Sequence, residues 1–412
     1  MVSVDLRTRT ADDVRSVAAQ DFFSEELPKL IADRSDVAVP GARELAPRPL
    51  AFVVDGEVWT LSLEADGIRI AAGDADAKAV VVLDAEGFAD LVNDIRTPIG
   101  FMTGGDLDMP RGRLDDFLDW AVILRSLLDG IPVHTVGAVD FRDRDGNPLD
   151  LRRAFTLDDD PAEMAHFLGE AGFLHVVGVF TEGEMAAVSA EMDAAAPRYS
   201  ADDGRSWWAK TIAGDERLVR LQYFHEESPT TAALLQDERL QRLTRLTEDG
   251  HALGKPGGNT NIIEALIKPV GVVEGISDVP WHKDCSLGSH SYRCCSMTVG
   301  ISVTGADADS GQLRVVPGSH RALIQAGFVR RGLDLPEIEL PTATGDLTIH
   351  LSCTLHMSQP PVARERRVMY TDFSLPERGG PDPGEAKIRR IREGAHKTVS
   401  QEPAGGIVSD LA

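Results

Sequence analysis

The sequence predicts an α+β domain followed by a mainly-β domain of sandwich or jelly-roll type with flanking helices. Three observations carry this. The chain has 412 residues, more than a single hydrophobic core grows to fill. Its first third shows alternating apolar runs and then helix-spaced apolar residues, and after about Ile262 short β-rich runs recur at regular intervals.

In the first third, Trp59, Leu61 and Leu63 alternate with polar neighbours, followed by Ile68 and Ile70 and then the run Ala79 to Leu83. That alternation is the period of strands, with glycine-containing turns between them. Phe88, Leu91, Val92 and Ile95 then recur at helical spacing, as do Leu114, Phe117, Leu118, Ala121, Leu124 and Leu128, with Gly130 placed as a C-terminal stop. The order of these elements, with Asp66-Gly67, the strand Ala79 to Leu83, the helix near Phe88 and the loop Gly104-Gly105-Asp106-Leu107, resembles a sterol-carrier-protein-2-like (SCP2-like) domain. That resemblance implies an apolar tunnel for acyl chains or sterols, although the same helices could simply cover a sheet.

The charged, turn-rich stretch Asp140 to Asp150, with Asp145-Gly146-Asn147-Pro148, is the best linker in the chain. The expected division is therefore 1–139, a linker at 140–150, and a second domain at 151–412. Beyond the linker, Met164, Phe167 and Leu168 mark a helix ending at Gly172, the strand Phe173 to Phe180 follows, and Thr181 with Glu184 forms a capping-box pattern that opens another helix. Strands are expected at Ala265 to Val270, Thr298 to Val303, Leu313 to Val316, Leu347 to Leu351 and Val368 to Phe373.

Composition excludes several function classes. Lys and Arg total 42 against 66 Asp and Glu, a formal charge of −24 that repels phosphate backbones and anionic lipid, so no nucleic-acid partner is expected. The basic stretch Lys387, Arg389, Arg390 and Arg392 reads first as a solvated helix face. Met1 to Ser16 lacks the apolar centre of a secretory signal, and the apolar stretch Trp120 to Leu128 is interrupted by Arg125 and too short to span a bilayer. The four cysteines, Cys285, Cys294, Cys295 and Cys353, include no C-x-x-C, which fits a reducing cytoplasm, with Cys285 a small buried residue.

The segment Pro280-Trp281-His282-Lys283-Asp284 sets an imidazole and a carboxylate two positions apart, on one face if the chain is extended there. A second histidine from a distant strand would complete a metal site; His356 in Leu355-His356-Met357-Ser358 is favoured over its competitor His350 by spacing and the following serine. Two histidines and one carboxylate leave coordination positions free, as non-haem iron(II) oxygen chemistry requires. A lone H-x-D is more often a surface pair. Here it is followed by Ser310-Gly311-Gln312-Leu313-Arg314-Val315-Val316-Pro317-Gly318-Ser319-His320, by Gly345-Asp346, by His356 and by Arg366-Arg367.

In that order, from roughly Phe155 to Leu375, these motifs resemble the phytanoyl-CoA dioxygenase family. The resemblance implies a cupin-like double-stranded β-helix, iron(II) held by His282, Asp284 and His356, and O2 and 2-oxoglutarate as co-substrates. It also implies an arginine gripping the distal carboxylate of 2-oxoglutarate. Arg366 and Arg367 are the candidates, and as strand neighbours they face opposite ways; Arg366, the first of the motif, is favoured. Ser358 and Lys268 fall where similar enzymes contact the co-substrate. Lys283 departs from the usual glutamine-like middle residue, and the asparagine that often follows the distal histidine is absent from Ser358-Gln359-Pro360-Pro361, which blurs the co-substrate pocket but leaves the ligand set intact.

The implied activity is hydroxylation of an unactivated C–H bond, and the carboxylate ligand argues against halogenation, which needs that position free. With the tandem first domain, the expected substrate is a small apolar metabolite such as an acyl thioester, terpenoid or steroid-like compound. His320 is expected to fix its loop and His290 to be a pocket or surface residue, while Trp207, Trp208 and Lys210 could line a pocket or pack in the core. The rival readings are a non-catalytic lipid carrier on a degenerate jelly-roll scaffold and a metal-dependent cupin hydrolase or isomerase that works without 2-oxoglutarate.

Overall fold

A computed structural model describes residues 15–254, 260–275, 277–287, 295–327 and 332–375; His290, Cys294 and the basic stretch Lys387 to Arg392 lie outside them. Among the described residues no helix is long and apolar enough to cross a membrane.

The first unit is a five-stranded sheet of β1 (Leu50–Val54), β2 (Glu57–Glu64), β3 (Gly67–Ala72), β4 (Ala79–Leu83) and β5 (Asp108–Arg111) in the order β3-β2-β1-β4-β5. Asp55 and Gly56, both at positive φ, make the two-residue turn whose twist suits the β1–β2 hairpin. Helices Ala85–Asn93, Pro98–Gly104 and Leu114–Asp129 cover the sheet. The Asp84 and Thr97 side chains cap the first two by accepting from the N–H groups of Gly87 and Gly100, and Gly130 ends the third in the left-handed conformation.

A further helix, Leu27–Leu45, has no counterpart in the sequence expectations. Its packed face carries Leu27, Leu30, Ile31, Ala38, Ala42 and Leu45 at helical spacing, but Pro40 in its interior, a residue that ordinarily breaks a helix, masks the pattern. Between sheet and helices, Phe22, Phe23, Phe52, Phe88 and Phe117 are fully buried and pack ring on ring, with centroids from 5.3 Å (Phe22–Phe23) to 6.4 Å (Phe52–Phe88).

The second unit has two antiparallel sheets. Its strands are β6 (Phe173–Val176), β7 (Ser206–Thr211), β8 (Glu216–Leu221), β9 (Ala252–Leu253), β10 (Ile263–Lys268), β11 (Val272–Glu274), β12 (Ser296–Ser302), β13 (Leu313–Val316), β14 (Ile338–Leu340), β15 (Leu347–Leu351), β16 (Leu355–Ser358) and β17 (Arg366–Ser374). The large sheet runs β11-β7-β8-β10-β17-β12-β15-β6, with β9 pairing to β17, and the small one runs β14-β13-β16. Helix Pro161–Ala171 ends at Gly172, and helix Glu182–Ala195 opens on the Thr181/Glu184 capping box.

Period-two alternation sorts the large sheet. Ile263, Ala265, Ile267, Val299, Ile301, Ile349 and Met369 join Met164, Phe167, Met185 and Val188 in one apolar core. The alternate positions Glu264, Lys268, Thr298, His350, Arg366 and Asp372 face the other way and are polar. A sheet that keeps so many polar groups on an inward face has a function for that face.

Gly345-Asp346 locks the entry to β15. The Asp346 carboxylate accepts from the N–H of Gly178 at 2.8 Å and of Ala343 at 2.7 Å, and pairs with His175 at 3.1 Å. Gly345 sits at φ +86°, where a Cβ would lie 1.9 Å from the Phe180 carbonyl oxygen. Gly345→Ala is therefore expected to destabilise the fold by more than about 2 kcal/mol, seen as a lower urea midpoint with an unchanged slope.

Candidate metal centre

His282 and His356 face each other as an isolated antiparallel bridge that ties the chain after β11 to β16. The His282 N–H donates to the His356 carbonyl at 2.9 Å, and the His356 N–H donates back at 3.0 Å. Each ring is then fixed by the same local device: Nδ1 of His282 meets the Pro280 carbonyl at 2.6 Å, and Nδ1 of His356 meets the Thr354 carbonyl at 2.9 Å. A carbonyl only accepts, so Nδ1 carries a proton and Nε2 is the nitrogen left to offer a lone pair to a metal. This is the tautomer that a metal-binding histidine needs.

Asp284 does not share a strand with His282, contrary to the extended segment that the H-x-D spacing suggests. It opens a 3-10 turn, Asp284–Leu287, and reaches the histidines from there. The bend follows from Lys283, whose N–H donates to the Ala326 carbonyl at 3.0 Å and whose buried ammonium donates to the Ser319 carbonyl at 2.8 Å. The Asp284 oxygens divide their partners. Oδ1 lies 3.1 Å from Nε2 of His282 and 3.6 Å from Nε2 of His356, whereas Oδ2 accepts from Thr298 at 2.9 Å and meets Nε2 of His350 at 3.2 Å.

His282, Asp284 and His356 thus offer one ligand atom each, all within 4.8 Å of one another. Burial works to raise the Asp284 pKa, but the imidazoles of His356, His282 and His350 outweigh it and hold the carboxyl well below the usual range. Burial, with His350 and His282 alongside, pushes His356 well below the ordinary histidine range, so its lone pair stays free of protons at neutral pH. Carboxylate, neutral imidazoles and open space fit a divalent ion with free coordination positions.

The group opens onto a cleft with about 710 Å³ of space, whose lining includes Arg220, Glu264, Lys268, Thr298, Tyr370 and Asp372. At one end, the Lys268 ammonium donates to Asp278 at 2.7 Å, to Ser358 Oγ at 2.8 Å and to the Ser277 carbonyl at 2.9 Å. Arg366 donates to the same Ser358 oxygen at 2.7 Å. Arg366 is 3% exposed, its Nε has no hydrogen-bond partner, and no carboxylate among the described residues pairs with it. Arg367 turns to the opposite face, where it pairs with Asp193 at 2.8 Å and Glu365 at 3.2 Å and donates to Ser189.

The other sequence candidates lie apart from this group. His320 anchors its loop on the Gly169 carbonyl at 2.9 Å. Trp207 lies under the Arg220 guanidinium at 5.0 Å, and Trp208 donates to Ser206. Cys285 is buried with Cys295 and Cys353. What the sequence did not disclose is the support around Asp284: Thr298, His350 as a brace rather than a rival ligand, and the counter-charge Asp278. Thr298 and His350 are register partners on β12 and β15, so strand parity was the available signal.

Comparison with known proteins adds the following. No curated protein matches the chain. Among solved structures it is similar to AviO1 from Streptomyces viridochromogenes Tue57 (22% identity, 53% of this chain and 96% of that one, TM-score 0.40). It is also similar to the epimerase SnoN from nogalamycin biosynthesis, crystallised with Fe3+, alpha ketoglutarate and nogalamycin RO (20%, 52% and 84%, TM-score 0.40). A third is EctD from S. alaskensis, crystallised with 2-oxoglutarate and 5-hydroxyectoine (18%, 59% and 86%, TM-score 0.43). The family model described as phytanoyl-CoA dioxygenase (PhyH) matches residues 168–368, a span that contains all three candidate ligands and both strands of the histidine pair. Over those residues the chain carries a PhyH family domain.

Proposed function

We propose that this protein is an Fe(II)- and 2-oxoglutarate-dependent dioxygenase that hydroxylates an unactivated C–H bond of a small metabolite, with release of succinate and CO2. The observation that carries this reading is a His282–Asp284–His356 group with its ligand atoms within 4.8 Å of one another, together with a buried Arg366 that reaches the cleft lining through Ser358 and pairs with no carboxylate among the described residues. Iron(II) with bound 2-oxoglutarate and O2 supplies the oxidising power for C–H cleavage.

The chain's own residues do the rest. His282 and His356 present their Nε2 atoms, and Asp284 offers one oxygen because Thr298 and His350 occupy the other, which keeps coordination positions open for co-substrates. Arg366 is oriented by Ser358 to receive the distal carboxylate of 2-oxoglutarate, with Lys268 adding a second positive charge. Leu266, Val279, Leu313 and the Tyr370 ring share the lining with charged and hydrogen-bonding groups, so the cleft suits a metabolite that presents both apolar and polar surface. The division into residues 1–139, 140–150 and 151–412 belongs to the same proposal. The element order of the first unit supports an SCP2-like domain, while its interior of packed aromatic rings favours a scaffold over a lipid carrier.

Anaerobic addition of iron(II) and 2-oxoglutarate should give the weak visible charge-transfer band of the chelate, absent in His282→Ala, and admission of O2 should release succinate even without substrate. A chain that shows neither band nor succinate would be the carrier instead. Arg366→Leu should weaken 2-oxoglutarate binding by about thirtyfold, the ~2 kcal/mol typical of losing one side of a buried charge pair, whereas Arg367→Leu should leave it unchanged in calorimetric titration.

A pH dependence follows from Lys268. Burial pulls its ammonium down to about 8, with Asp278 acting in the opposite direction. The protonated form attracts the dianion, so 2-oxoglutarate affinity should be level below about pH 8 and fall as pH rises through it; Lys268→Met should bind more weakly and lose this fall. Stability of the ligand-free chain should move the other way. Between about 8 and ~10.4 an unfolded lysine still holds its proton while the buried one has released it, so raising the pH there stabilises the fold.

A further inference from the structure

The N-terminal unit grips the stretch of chain that braces the metal-bearing turn. Leu323 forms a parallel bridge with Val133, its carbonyl accepts from the His134 N–H at 3.1 Å, and its side chain is buried within the N-terminal apolar core. Gln325 donates from Nε2 to Asp119 Oδ1 at 2.6 Å, with both residues buried. Ala326 packs with Ile99 and Leu118 of the N-terminal helices, and a Cβ on Gly327 would lie 2.8 Å from Ile99 Cδ1. On its other side the same stretch meets the ligand segment, because the Ala326 carbonyl accepts the N–H of Lys283, the residue between His282 and Asp284. Helix Pro98–Gly104 also lies against the turn Asp284–Leu287.

We propose that the N-terminal unit is a positioning platform for the metal centre, acting through the strap 323–327 on the backbone of Lys283. This rests on the reading of His282, Asp284 and His356 as metal ligands. The physical reason lies in how each ligand is held. His282 and His356 are fixed by their reciprocal backbone pair, whereas Asp284 stands in a 3-10 turn outside any strand ladder. Its backbone is set by the Lys283 bond to Ala326 on one side and the Cys285 N–H bond to Ser352 on the other. The first of these anchors belongs to a segment held in place by the N-terminal unit, so loosening that contact lets the carboxylate drift from the histidines. Gln325 and Ile99 are positioning residues in this scheme, and none of their atoms reaches the metal.

The test uses the full chain and Co(II) as a spectroscopic probe, with affinity and ligand-field band recorded beside thermal unfolding. Wild-type chain should bind one Co(II) with loss of binding in His282→Ala; failure at this step sinks the metal reading itself. Gln325→Glu, which sets a carboxylate against Asp119, should weaken Co(II) binding roughly tenfold, and the milder Ile99→Ala about threefold. Combining Gln325→Glu with Asp119→Asn exchanges donor and acceptor and should restore affinity to within about threefold. Leu61→Ala, in the N-terminal core but on β2 and away from the strap, should lower the unfolding temperature and leave Co(II) affinity alone. The platform is refuted if Gln325→Glu and Ile99→Ala bind Co(II) as wild type does, if the double variant stays weak, or if Leu61→Ala weakens binding as much as they do.

Discussion

The centre depends on one backbone interaction, the reciprocal hydrogen-bonded pair between His282 and His356. It joins segments far apart in sequence, and it does so with main-chain groups, whose geometry is far less variable than that of side chains. Because each ring then returns its Nδ1 to the carbonyl two residues earlier, both Nε2 atoms are aimed before anything binds. Ring centroids 4.2 Å apart bring two lone pairs close together, which is unfavourable unless something positive lies between them. The pair is therefore both a fold-closing contact and a preorganised half of the proposed ligand set.

Asp284 completes that set by being unsymmetrical. With Thr298 and His350 on Oδ2, the carboxylate cannot swing to offer both oxygens without giving up two hydrogen bonds in a buried place. His350 stacks against His356 at 4.0 Å, which invites its reading as a ligand, yet its Nε2 is committed to Asp284. Sequence position alone treats His350 and His356 as competitors. Their strands separate them: His350 lies on β15 in the large sheet, and His356 on β16 in the small one.

This also shows which features the sequence makes legible. Strands such as Leu313–Val316 and Leu347–Leu351 were readable because an apolar face alternates with a polar one. The candidate ligands His282, Asp284 and His356, which the fold brings together, were named from a spacing that resembles a known family. The course of the chain at Asp284 was not, since two residues of separation is compatible with a strand or a turn, and the choice is made by Lys283 bonding to Ala326 and Ser319, both distant in sequence. Helix Leu27–Leu45 escaped although its apolar residues recur at helical spacing, because Pro40 in its interior reads as a break. Elements held by their own periodicity can be read locally, and elements held by a single distant contact cannot.

The charge distribution shows how such a site works inside an acidic protein. The chain as a whole carries −24, so its surface repels a dianion such as 2-oxoglutarate. Inside the cleft the balance is local. Arg220 faces Glu264 at 3.1 Å and Lys268 faces Asp278 at 2.7 Å, each largely cancelling its neighbour, while Arg366, joined to the lining through Ser358, pairs with no carboxylate among the described residues. At 4 Å an opposite charge near a protein surface is attracted by ~4 kcal/mol, and a guanidinium buried on both sides of its strand is screened less than that by salt. A guanidinium with no carboxylate partner among the described residues, beside cations that are already matched, is where a carboxylate from outside would gain most, in line with the role proposed for Arg366.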